Sequence, residues 1–429
     1  MSSFWYHLYD KISIPVLYIV YRLYALTNHK IRIGLQGRKD TLQKLEKELS
    51  RLSDRGSRFW IHSSSMGEFE QAKPLIRQLK EKIPGCTVIV SVFSPSAYEH
   101  IQNYREADLI CYLPLDTRKN AKRFISILKP NVGIMVRHDL WPNHLRQLKK
   151  GGIPAVLINC SLPSYNSVRH PFGLAIKRFL FSYFDVILTV SGETTQFCRN
   201  HTLGIGSIET VGDTRYDQVV TRAQQAENIV APLRKLKGDR KGFVAGSTWP
   251  SDEEVVLRAF SMLRNEGKHP WVVLVPHEPT EEHITQIENN LTELKCDFLR
   301  FSEVRGNEAE NPDVLIVDRV GILASLYALG DLSFVGGGFG PGIHSVLEPA
   351  ALGKVVLFGP KYKNSYEAEQ LKKRGVGFVT HDAEALFDHL LSFLSDASEL
   401  EKLGKMAAEL VQENVGATAR IVNRLTKLV

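Results

Sequence analysis

The chain has 429 residues, of which 43% are hydrophobic and 24% are charged, and its formal net charge is +7 at pH 7. This length favours two domains, because a single hydrophobic core stops growing at about 250–300 residues. The positive charge favours anionic partners such as phosphates, nucleotides or acidic lipids, but it is too diffuse to indicate a nucleic acid partner. The five scattered cysteines include no CxxC pair and therefore indicate neither a zinc site nor a disulfide framework.

The N-terminal segment, residues 1–40, is rich in aromatic residues around a short apolar run, Ile12–Tyr21. This run is too short to cross a bilayer, which needs about 20 apolar residues. Tryptophan and tyrosine favour the membrane–water boundary, and the basic residues that follow could meet anionic headgroups. We therefore predict an interfacial helix that lies on a membrane surface. The alternative is a helix docked on the protein's own core.

From Phe59 onward, short apolar runs alternate with amphipathic segments. Runs with little internal alternation are typical of parallel strands that are buried on both faces. Helices are predicted between them, for example at Phe69–Lys82 and Asp116–Leu128. The predicted strands of this first domain, residues 41–210, are Phe59–His62, Thr87–Phe93, Leu109–Leu113, Val132–Val136, Ala155–Asn159 and Val186–Val190.

A second alternation fills residues 211–429, after a stretch at Ile208–Asp217 that we interpret as a crossover. The predicted strands are Phe243–Gly246, Trp271–Val275, Val314–Val317, Leu332–Gly336 and Val355–Phe358. The predicted helices are Asp252–Asn265, Ile322–Ala328, Ser345–Leu352, Ser365–Lys373 and a helical region from Asp382, whose last helix could pack back on the first domain. The sequence thus predicts an α/β protein with two Rossmann-like domains that face each other across a cleft.

Two acidic residues follow predicted strands of the first domain. Glu68 ends the loop that starts at His62 and would begin the next helix, where a carboxylate is electrostatically favourable. Glu68 either only stabilises this helix start or acts as a general base on an acceptor hydroxyl. Asp139, after the fourth strand, would either cap the following helix or assist at the acceptor site.

Small residues follow the strands of the second domain, where a nucleotide would bind. In the turn Gly336–Gly342, glycines permit a close approach of the backbone to a phosphate, and the following helix favours anions at its N-terminus. Glu348 on that helix could accept hydrogen bonds from ribose hydroxyls. Ser247 and Thr248 could cap a helix or donate to the donor phosphate, whereas a lone histidine such as His277 is more often structural.

The sequence contains no DxD, HExxH or nucleophile-elbow motif. We therefore predict no bound metal and no cofactor. Charge on a leaving phosphate would then be stabilised by backbone amides, helix dipoles and basic side chains.

Four blocks of the sequence resemble the 3-deoxy-D-manno-octulosonic acid (Kdo) transferases of lipopolysaccharide assembly, which have the GT-B fold. The resemblance covers nearly the whole chain, including the anchor-like N-terminus. The blocks are WIHSSSMGEFEQAKPLI at Trp60–Ile76, DLWPN at Asp139–Asn143, AGSTWPSDEE at Ala245–Glu254 and FVGGGFGPGIHSVLEPAALGKVVLFGP at Phe334–Pro360.

This resemblance implies an inverting, metal-independent transfer of Kdo from CMP-Kdo to a lipid A precursor, lipid IVA. It implies that the enzyme is held at the cytoplasmic face of the inner membrane by its N-terminal segment. It assigns the catalytic carboxylate to Glu68 and a second acidic residue to Asp139. The residues that it assigns to the CMP donor are Ser247, Thr248, His344, Ser345 and Glu348. We also predict donor contacts from Gly246, His277, Gly337 and Gly338.

The chain departs from the family pattern at three places. Arg137 and His138 stand where the family has Glu-Thr, and Ser345 stands where it has asparagine. Pro276-His277-Glu278-Pro279 replaces Pro-Arg-His-Pro, which removes an expected arginine contact near CMP.

The lipid acceptor needs its own contacts, and we expect them from Ser65 and from the basic residues Arg169, Lys177 and Arg178. The alternative for these basic residues is a solvated helix face. Two other functions stay open at this point: a nucleotide-sugar epimerase of similar fold, which would act on the donor alone, and a non-catalytic nucleotide- or lipid-binding relative.

Overall fold

The computed structural model describes residues 2–52, 56–161, 171–201, 206–304 and 311–429. The chain divides into two compact units, of which the first comprises Met1–Gln218 and Val415–Val429 and the second comprises Val219–Asn414. The second unit is therefore inserted between two parts of the first. Arg169 is one of the predicted acceptor residues and lies outside the described residues.

The first unit is built on a seven-stranded parallel sheet with the order β3-β2-β1-β4-β5-β6-β7. The strand order reverses between β1 and β4, and in such sheets ligands bind beside the carboxyl ends of the strands at this point. The strands are β1 Arg58–Ser63, β2 Thr87–Val92, β3 Leu109–Tyr112, β4 Val132–Val136, β5 Ala155–Cys160, β6 Val186–Thr189 and β7 Ser207–Thr210.

Helices cover this sheet and precede it in the chain. The N-terminal helices are α1 Ser2–Leu8, a π-helical turn Tyr9–Ser13, α2 Ile14–Tyr24, α3 His29–Lys39 and α4 Thr41–Leu49. The others are α5 Met66–Lys82, α6 Pro95–Ile101, α7 Arg118–Leu128, α8 Pro142–Lys150, α9 Pro171–Phe181, α10 Gly192–His201 and α11 Thr214–Gln225.

The second unit repeats this architecture with a parallel sheet of order β10-β11-β9-β8-β12-β13-β14. Its strand order reverses between β8 and β12, so the same rule points to the carboxyl ends of these two strands. The strands are β8 Gly242–Thr248, β9 Trp271–Pro276, β10 Phe298–Arg300, β11 Val314–Ile316, β12 Leu332–Val335, β13 Val355–Phe358 and β14 Gly377–Val379.

The helices of the second unit alternate with these strands. They are α12 Glu227–Val230, α13 Arg234–Lys237, α14 Pro250–Asn265, α15 Glu281–Glu293, α16 Leu323–Leu326, α17 Leu347–Ala351, α18 Tyr366–Lys373, α19 Ala383–Ser395 and α20 Ala397–Glu413. Short 3₁₀ turns occur at Ala231–Leu233, Phe301–Glu303 and Tyr327–Leu329.

The last helix, α21 Ala417–Leu425, belongs to the first unit. Its residues Ile421, Val422 and Leu425 are buried in the same hydrophobic cluster as the inner face of α5. The carboxylate of Asp217 accepts hydrogen bonds from the backbone N–H groups of Gly416 (2.6 Å) and Thr418 (2.7 Å) at the start of α21. An acid at this position satisfies amides that have no partner within the helix.

The stretch Ile208–Asp217, interpreted as a crossover, leads into the second unit, which begins at Val219. It also contains most of β7, a strand that was not predicted, and the start of α11. β10 and β14 were also not predicted. All three are edge strands of three or four residues, and most of their side chains are partly or fully exposed. An edge strand has only one neighbour and therefore needs no continuous apolar run.

The predicted helix Ser345–Leu352 is also shorter than expected, because α17 begins only at Leu347. The residues Ile343–Val346 before it are not helical. Any electrostatic contribution of this helix terminus therefore begins two residues later than predicted.

The N-terminal helices combine docked and exposed side chains. Tyr6 and Ile14 are buried, and the Oη of Tyr6 donates a 2.7 Å hydrogen bond to Asn143 at the start of α8. A set of large apolar side chains of the same segment is more than half exposed: Phe4, Ile12, Val16, Ile19, Val20, Leu23, Tyr24 and Leu26. Among the described residues, none of the helices has the length and apolar character that crossing a membrane requires.

Candidate active site

Glu68 is the third residue of α5, at the carboxyl end of the central strand β1. The helix is capped by Ser65, whose Oγ accepts from the backbone N–H of Glu68 at 3.4 Å. The Oε2 of Glu68 accepts a 2.6 Å hydrogen bond from the backbone N–H of Ser64, which fixes the carboxylate. The backbone N–H of Ser65 also stabilises the carboxylate, and no basic side chain forms an ion pair with it among the described residues.

The pKa of Glu68 lies above the usual range of a glutamate. Burial is the largest cause, and the negative charge of Asp139 raises the pKa further. The N–H of Ser64 and the ring of His62 act in the opposite direction but do not cancel these effects. A carboxylate with a raised pKa is a stronger base, as general-base catalysis near neutral pH requires.

Asp139 lies beside Glu68 through a small polar cluster with His62 and Trp141. The indole N–H of Trp141 is 3.0 Å from the Oδ2 of Asp139 and 3.1 Å from the Nε2 of His62. His62 is fully buried, and its Nε2 is 3.2 Å from the Oγ of Ser64, the residue whose N–H holds Glu68. The two predicted carboxylates, Glu68 and Asp139, therefore lie beyond the carboxyl ends of the neighbouring strands β1 and β4.

The loop that carries Asp139 begins with a strained residue. Arg137 has a φ of 67°, which is in the left-handed region that a long side chain rarely adopts. Strained backbone of this kind concentrates at functional sites. The pKa of the next residue, His138, is lowered to about 4 by partial loss of hydration and by the charges of Arg137 and Lys177. Two departures from the family pattern thus flank the predicted site.

The alternative role of Asp139 as a helix cap is not what the structure shows. The start of α8 is capped by Asp116, whose two oxygens accept from the backbone N–H groups of Asn143 (2.9 Å) and His144 (3.0 Å). Asp116 is fully buried and also accepts a 2.7 Å hydrogen bond from the Oη of Tyr9. The N-terminal segment is therefore linked to the start of α8 directly by Tyr6, through Asn143, and indirectly by Tyr9, through Asp116.

The predicted acceptor residues of α9 have different surroundings. The Nε of Arg178 donates to the carbonyl oxygen of His201 at 2.8 Å, which ties α9 to α10. Lys177 is partly buried, and its Nζ lies 5.8 Å from the centre of the Phe197 ring. Burial lowers the pKa of Lys177. The charge of Lys177 lowers the pKa of His138. Of the two described basic residues predicted to bind the acceptor, Lys177 is therefore the one near the loop that carries Asp139.

In the second unit, the predicted hydroxyl residues end β8. Ser247 has a φ of 53°, another strained position at the carboxyl end of a central strand. Thr248 is fully buried, and its Oγ1 donates to the Oε1 of Glu253 at 2.8 Å. The other oxygen of Glu253 is 2.9 Å from the Nε2 of His283. The hydroxyl of Thr248 is thus engaged within the protein, whereas Ser247 is only partly buried.

The glycine-rich turn after β12 surrounds a protein carboxylate. Asp252 is fully buried and accepts hydrogen bonds from the backbone N–H groups of Gly337 (2.8 Å) and Phe339 (3.1 Å). Glycine at two of the predicted positions is explained by packing. A Cβ on Gly338 would lie 2.6 Å from the backbone of Gly359, and one on Gly246 would lie 2.3 Å from the Oη of Tyr327.

Three aromatic rings stack at the carboxyl ends of these strands. His277 lies between Trp249, at 5.0 Å between ring centres, and His344, at 4.2 Å. The indole N–H of Trp249 also donates to the Nε2 of His344 at 3.1 Å. Burial lowers the pKa of His344, and the neighbouring His277 lowers it further. Both predicted histidines therefore belong to one stack, which offers a flat surface.

The remaining donor residues flank α17. The Oγ of Ser345 donates to Glu348, and the carboxylate of Glu348 lies 4.0 Å from the guanidinium of Arg222. Ser345 is exposed and Glu348 is partly buried. Across the described ranges, the structure contains no group of three or more His, Cys, Asp or Glu side chains that could hold a metal ion.

Comparison with known proteins decides the family. A family model described as 3-Deoxy-D-manno-octulosonic-acid transferase (kdotransferase) matches residues 34–218. A probable mitochondrial 3-deoxy-D-manno-octulosonic acid transferase of Arabidopsis thaliana is 30% identical over 362 residues, which cover 79% of each chain. The chain belongs to the Kdo transferase family. A 3-deoxy-D-manno-octulosonic acid transferase of Haemophilus influenzae is 29% identical over 85% of this chain and 86% of its own length.

Solved structures show the fold that this Kdo transferase shares with other nucleotide-sugar proteins. A UDP-GlcNAc 2-epimerase from Neisseria meningitidis superposes with a TM-score of 0.62 at 13% identity, over 86% of this chain and 100% of that chain. MurG of Acinetobacter baumannii superposes with a TM-score of 0.54 at 13% identity, over 86% and 99%. The predicted α/β class and GT-B fold are thus confirmed, and the sequence relatives identify the enzyme as a glycosyltransferase.

Several residues around these sites were not predicted. Asp116 follows β3 as Asp139 follows β4, so the same signal, an acidic residue after a strand, could have identified it. Trp249 and Asp252 lie within the block Ala245–Glu254, but the sequence does not reveal that Asp252 binds a loop 85 residues away. His62 and Trp141 lie within the quoted motifs as well.

Proposed function

We propose that this enzyme transfers Kdo from CMP-Kdo to a hydroxyl group of a lipid A precursor such as lipid IVA, with Glu68 as the general base. The observation that carries this proposal is the state of the Glu68 carboxylate. One oxygen is fixed by the backbone N–H of Ser64, no basic side chain forms an ion pair with the carboxylate among the described residues, and the pKa is raised by burial and by Asp139. An oriented, basic carboxylate suits the removal of a proton from an alcohol.

In the proposed reaction, Glu68 accepts the proton of the acceptor hydroxyl. The acceptor oxygen forms a bond to the anomeric carbon of Kdo from the face opposite the phosphate, while the bond from that carbon to the phosphate oxygen breaks. CMP leaves with the electron pair, and the configuration at the anomeric carbon is inverted. Asp139 acts on the basicity of Glu68, and Trp141 and His62 position Asp139 and Ser64.

In this proposal, CMP-Kdo binds to the second unit through side chains whose polar groups or ring faces can contact a ligand. The stack of Trp249, His277 and His344 provides a flat surface and ring nitrogens, and the partly buried Ser247 provides a hydroxyl. Ser345 and Glu348 would bind the sugar hydroxyls of the nucleotide. Since Asp252 occupies the amides of Gly337 and Phe339, the phosphate would have to bind other groups.

The enzyme would act at the cytoplasmic face of the inner membrane, where its lipid acceptor is made. The support for this location is the row of exposed apolar side chains on α1 and α2, including Val16, Ile19, Val20 and Leu23. Exposed apolar surface of this kind would insert into the headgroup boundary. A variant with Val16→Asp and Val20→Asp should lose binding to lipid vesicles. A variant with Lys44→Gln and Lys47→Gln, on the exposed side of α4, has the same change in net charge and should retain binding.

The decisive experiment is mass spectrometry of a tetraacylated, bisphosphorylated acceptor after incubation with CMP-Kdo. Addition of one or more Kdo residues by the wild type would support the proposal, and no mass increment would overturn it. Glu68→Gln should reduce turnover by at least about a hundredfold, as expected for loss of a general base. Glu81→Gln is the matched control, because Glu81 lies on the same helix and is exposed. Equal turnover of the two variants would contradict the role of Glu68.

A control without acceptor addresses the epimerase that the sequence left open. The structural likeness to UDP-GlcNAc 2-epimerases concerns the fold alone. An epimerase would change the sugar nucleotide without a lipid, so the donor should be recovered unchanged when the acceptor is omitted.

A further inference from the structure

A cavity separate from the Glu68 cluster lies between α1, α8 and the turn after α9. Its volume is about 390 Å³, and its lining includes Tyr6, Arg146, Lys149, Lys150 and Tyr183. Three cationic side chains therefore line one small cavity, and no acidic side chain is among its lining residues. Such a concentration of positive charge attracts an anion.

The cations of this cavity are not neutralised by the protein. Across the described ranges, Arg146, Lys149 and Lys150 take part in no ion pair with an acidic side chain. Arg146 is half-buried, yet none of its N–H donors is hydrogen-bonded to a described residue. A partly buried guanidinium with five unused donors is costly unless water or a ligand satisfies them.

Two contacts hold the cations in place without neutralising their charge. The guanidinium carbon of Arg146 lies 4.0 Å from the centre of the Tyr6 ring, and the Tyr6 Oη is fixed by Asn143. The Nζ of Lys149 donates to the carbonyl oxygen of Ser182 at 2.9 Å, which leaves two of its three donors. The side chains are thus arranged before a ligand binds, and this lowers the entropic cost of binding.

The position of the cavity indicates which anion it would meet. It is lined by α1, the helix that also carries Phe4, whose side chain is 65% exposed. Trp5 contacts Phe172, which is itself 56% exposed, at 5.3 Å between ring centres. The cavity therefore borders an apolar surface, as expected for a group that is anionic at one end and attached to a lipid at the other.

We infer that this cavity is a binding site for a lipid-borne phosphate group. The phosphate oxygens would accept hydrogen bonds from the guanidinium of Arg146 and the ammonium groups of Lys149 and Lys150, the geometry for which arginine is especially suited. This inference rests on the proposed function in one respect, namely that the phosphate is carried by a membrane lipid. The phosphate belongs either to an anionic phospholipid or to the acceptor itself.

The test compares two full-length variants that lose the same charge. The cavity variant carries Arg146→Gln, Lys149→Gln and Lys150→Gln, and the control carries Lys44→Gln, Lys47→Gln and Lys122→Gln, three exposed cations of the same unit. Flotation with vesicles of phosphatidylcholine and phosphatidylglycerol measures the first source of phosphate. The Michaelis constant for a bisphosphorylated acceptor in neutral detergent, without phospholipid, measures the second.

Relative to the control variant, the cavity variant should show either vesicle binding that is at least about tenfold weaker or a Michaelis constant for the acceptor that is at least about tenfold higher. A loss in flotation assigns the cavity to a phospholipid, and a raised Michaelis constant assigns it to an acceptor phosphate. Equal behaviour of both variants in both measurements would overturn the inference. If the triple variant fails to fold, the double variant Lys149→Gln with Lys150→Gln replaces it in both measurements, because these two side chains are exposed. Failure of the proposed function is recognised separately, because the wild type would then form no Kdo product while flotation remained measurable.

Discussion

The carboxylate of Asp252 accepts a 2.8 Å hydrogen bond from the backbone N–H of Gly337, 85 residues later in the chain. Its other oxygen accepts from Phe339, so one buried charge holds the glycine-rich turn that the sequence suggested as a phosphate cradle. The negative charge of Asp252 would repel a phosphate at the same amides. The motif therefore works first as a structural joint between α14 and the turn after β12.

Asp252→Asn should destabilise the second unit. An amide accepts fewer hydrogen bonds than a carboxylate, and its NH₂ group would face the N–H donors of Trp249, Gly337 and Phe339. We expect a loss of about 2–3 kcal/mol in the free energy of unfolding, measured by thermal or denaturant unfolding. Glu254→Gln is the control, because Glu254 is exposed on the same helix. A variant as stable as this control would contradict the role of Asp252.

Asp139→Asn should change the pH dependence of turnover. The base is active when Glu68 is ionised, and the charge of Asp139 raises the pKa of Glu68. Removal of this charge lowers that pKa, so the acid limb of kcat/KM should move to lower pH. Asp40→Asn, at an exposed position of the same unit, should leave the limb in place. A shift of the limb to higher pH, or no shift, would argue against electrostatic coupling between the two carboxylates.

Tyr9→Phe should weaken the link between the N-terminal helices and α8. It removes the hydroxyl that donates to the buried carboxylate of Asp116 at 2.7 Å. We expect a loss of about 1–3 kcal/mol in the free energy of unfolding of the first unit and a lower kcat in detergent, where membrane binding plays no part. Tyr24→Phe, at an exposed tyrosine, is the comparison. If kcat falls equally in both variants, the N-terminal segment does not position the loop that carries Asp139 and Trp141.

Gly338→Ala separates packing from phosphate binding. The new Cβ would lie 2.6 Å from the backbone of Gly359, so we expect a stability loss of about 1–3 kcal/mol. Gly340→Ala is the control, since its nearest neighbour would be at 3.7 Å. Unchanged thermal stability of Gly338→Ala, together with a raised KM for CMP-Kdo, would instead favour a direct contact between this residue and the donor.

The parts of the fold that could be predicted are those that depend on local pattern. The inner strands are largely continuous apolar runs. The bounds of β4, Val132–Val136, and β13, Val355–Phe358, agree with the prediction, and those of the other inner strands differ from it by one or two residues. The edge strands β7, β10 and β14 could not be found in this way, since their side chains are partly exposed and only the neighbouring strand defines them.

In the candidate sites as well, features that depend on local sequence could be predicted, and those that depend on tertiary contacts could not. The prediction that Glu68 begins a helix is confirmed, because a capping serine followed by an acid is a local signal. The partnership of Asp252 with Gly337, and that of Asp116 with Asn143, joins segments distant in sequence and follows only from the tertiary structure. The catalytic and binding roles of the predicted residues stay predictions, for which the substitutions above provide the tests.

The return of the chain from the second unit to the first has a consequence for protein synthesis. When a ribosome has produced residues 1–218, the hydrophobic cluster beneath α5 still lacks Ile421, Val422 and Leu425. Helix α5, which begins two residues before the proposed base Glu68, therefore gains these packing partners only after the second unit has been translated. A nascent chain stalled within the second unit should expose this apolar face to chaperones. Removal of Val415–Val429 should destabilise the region around α5 and Glu68 before the rest of the protein.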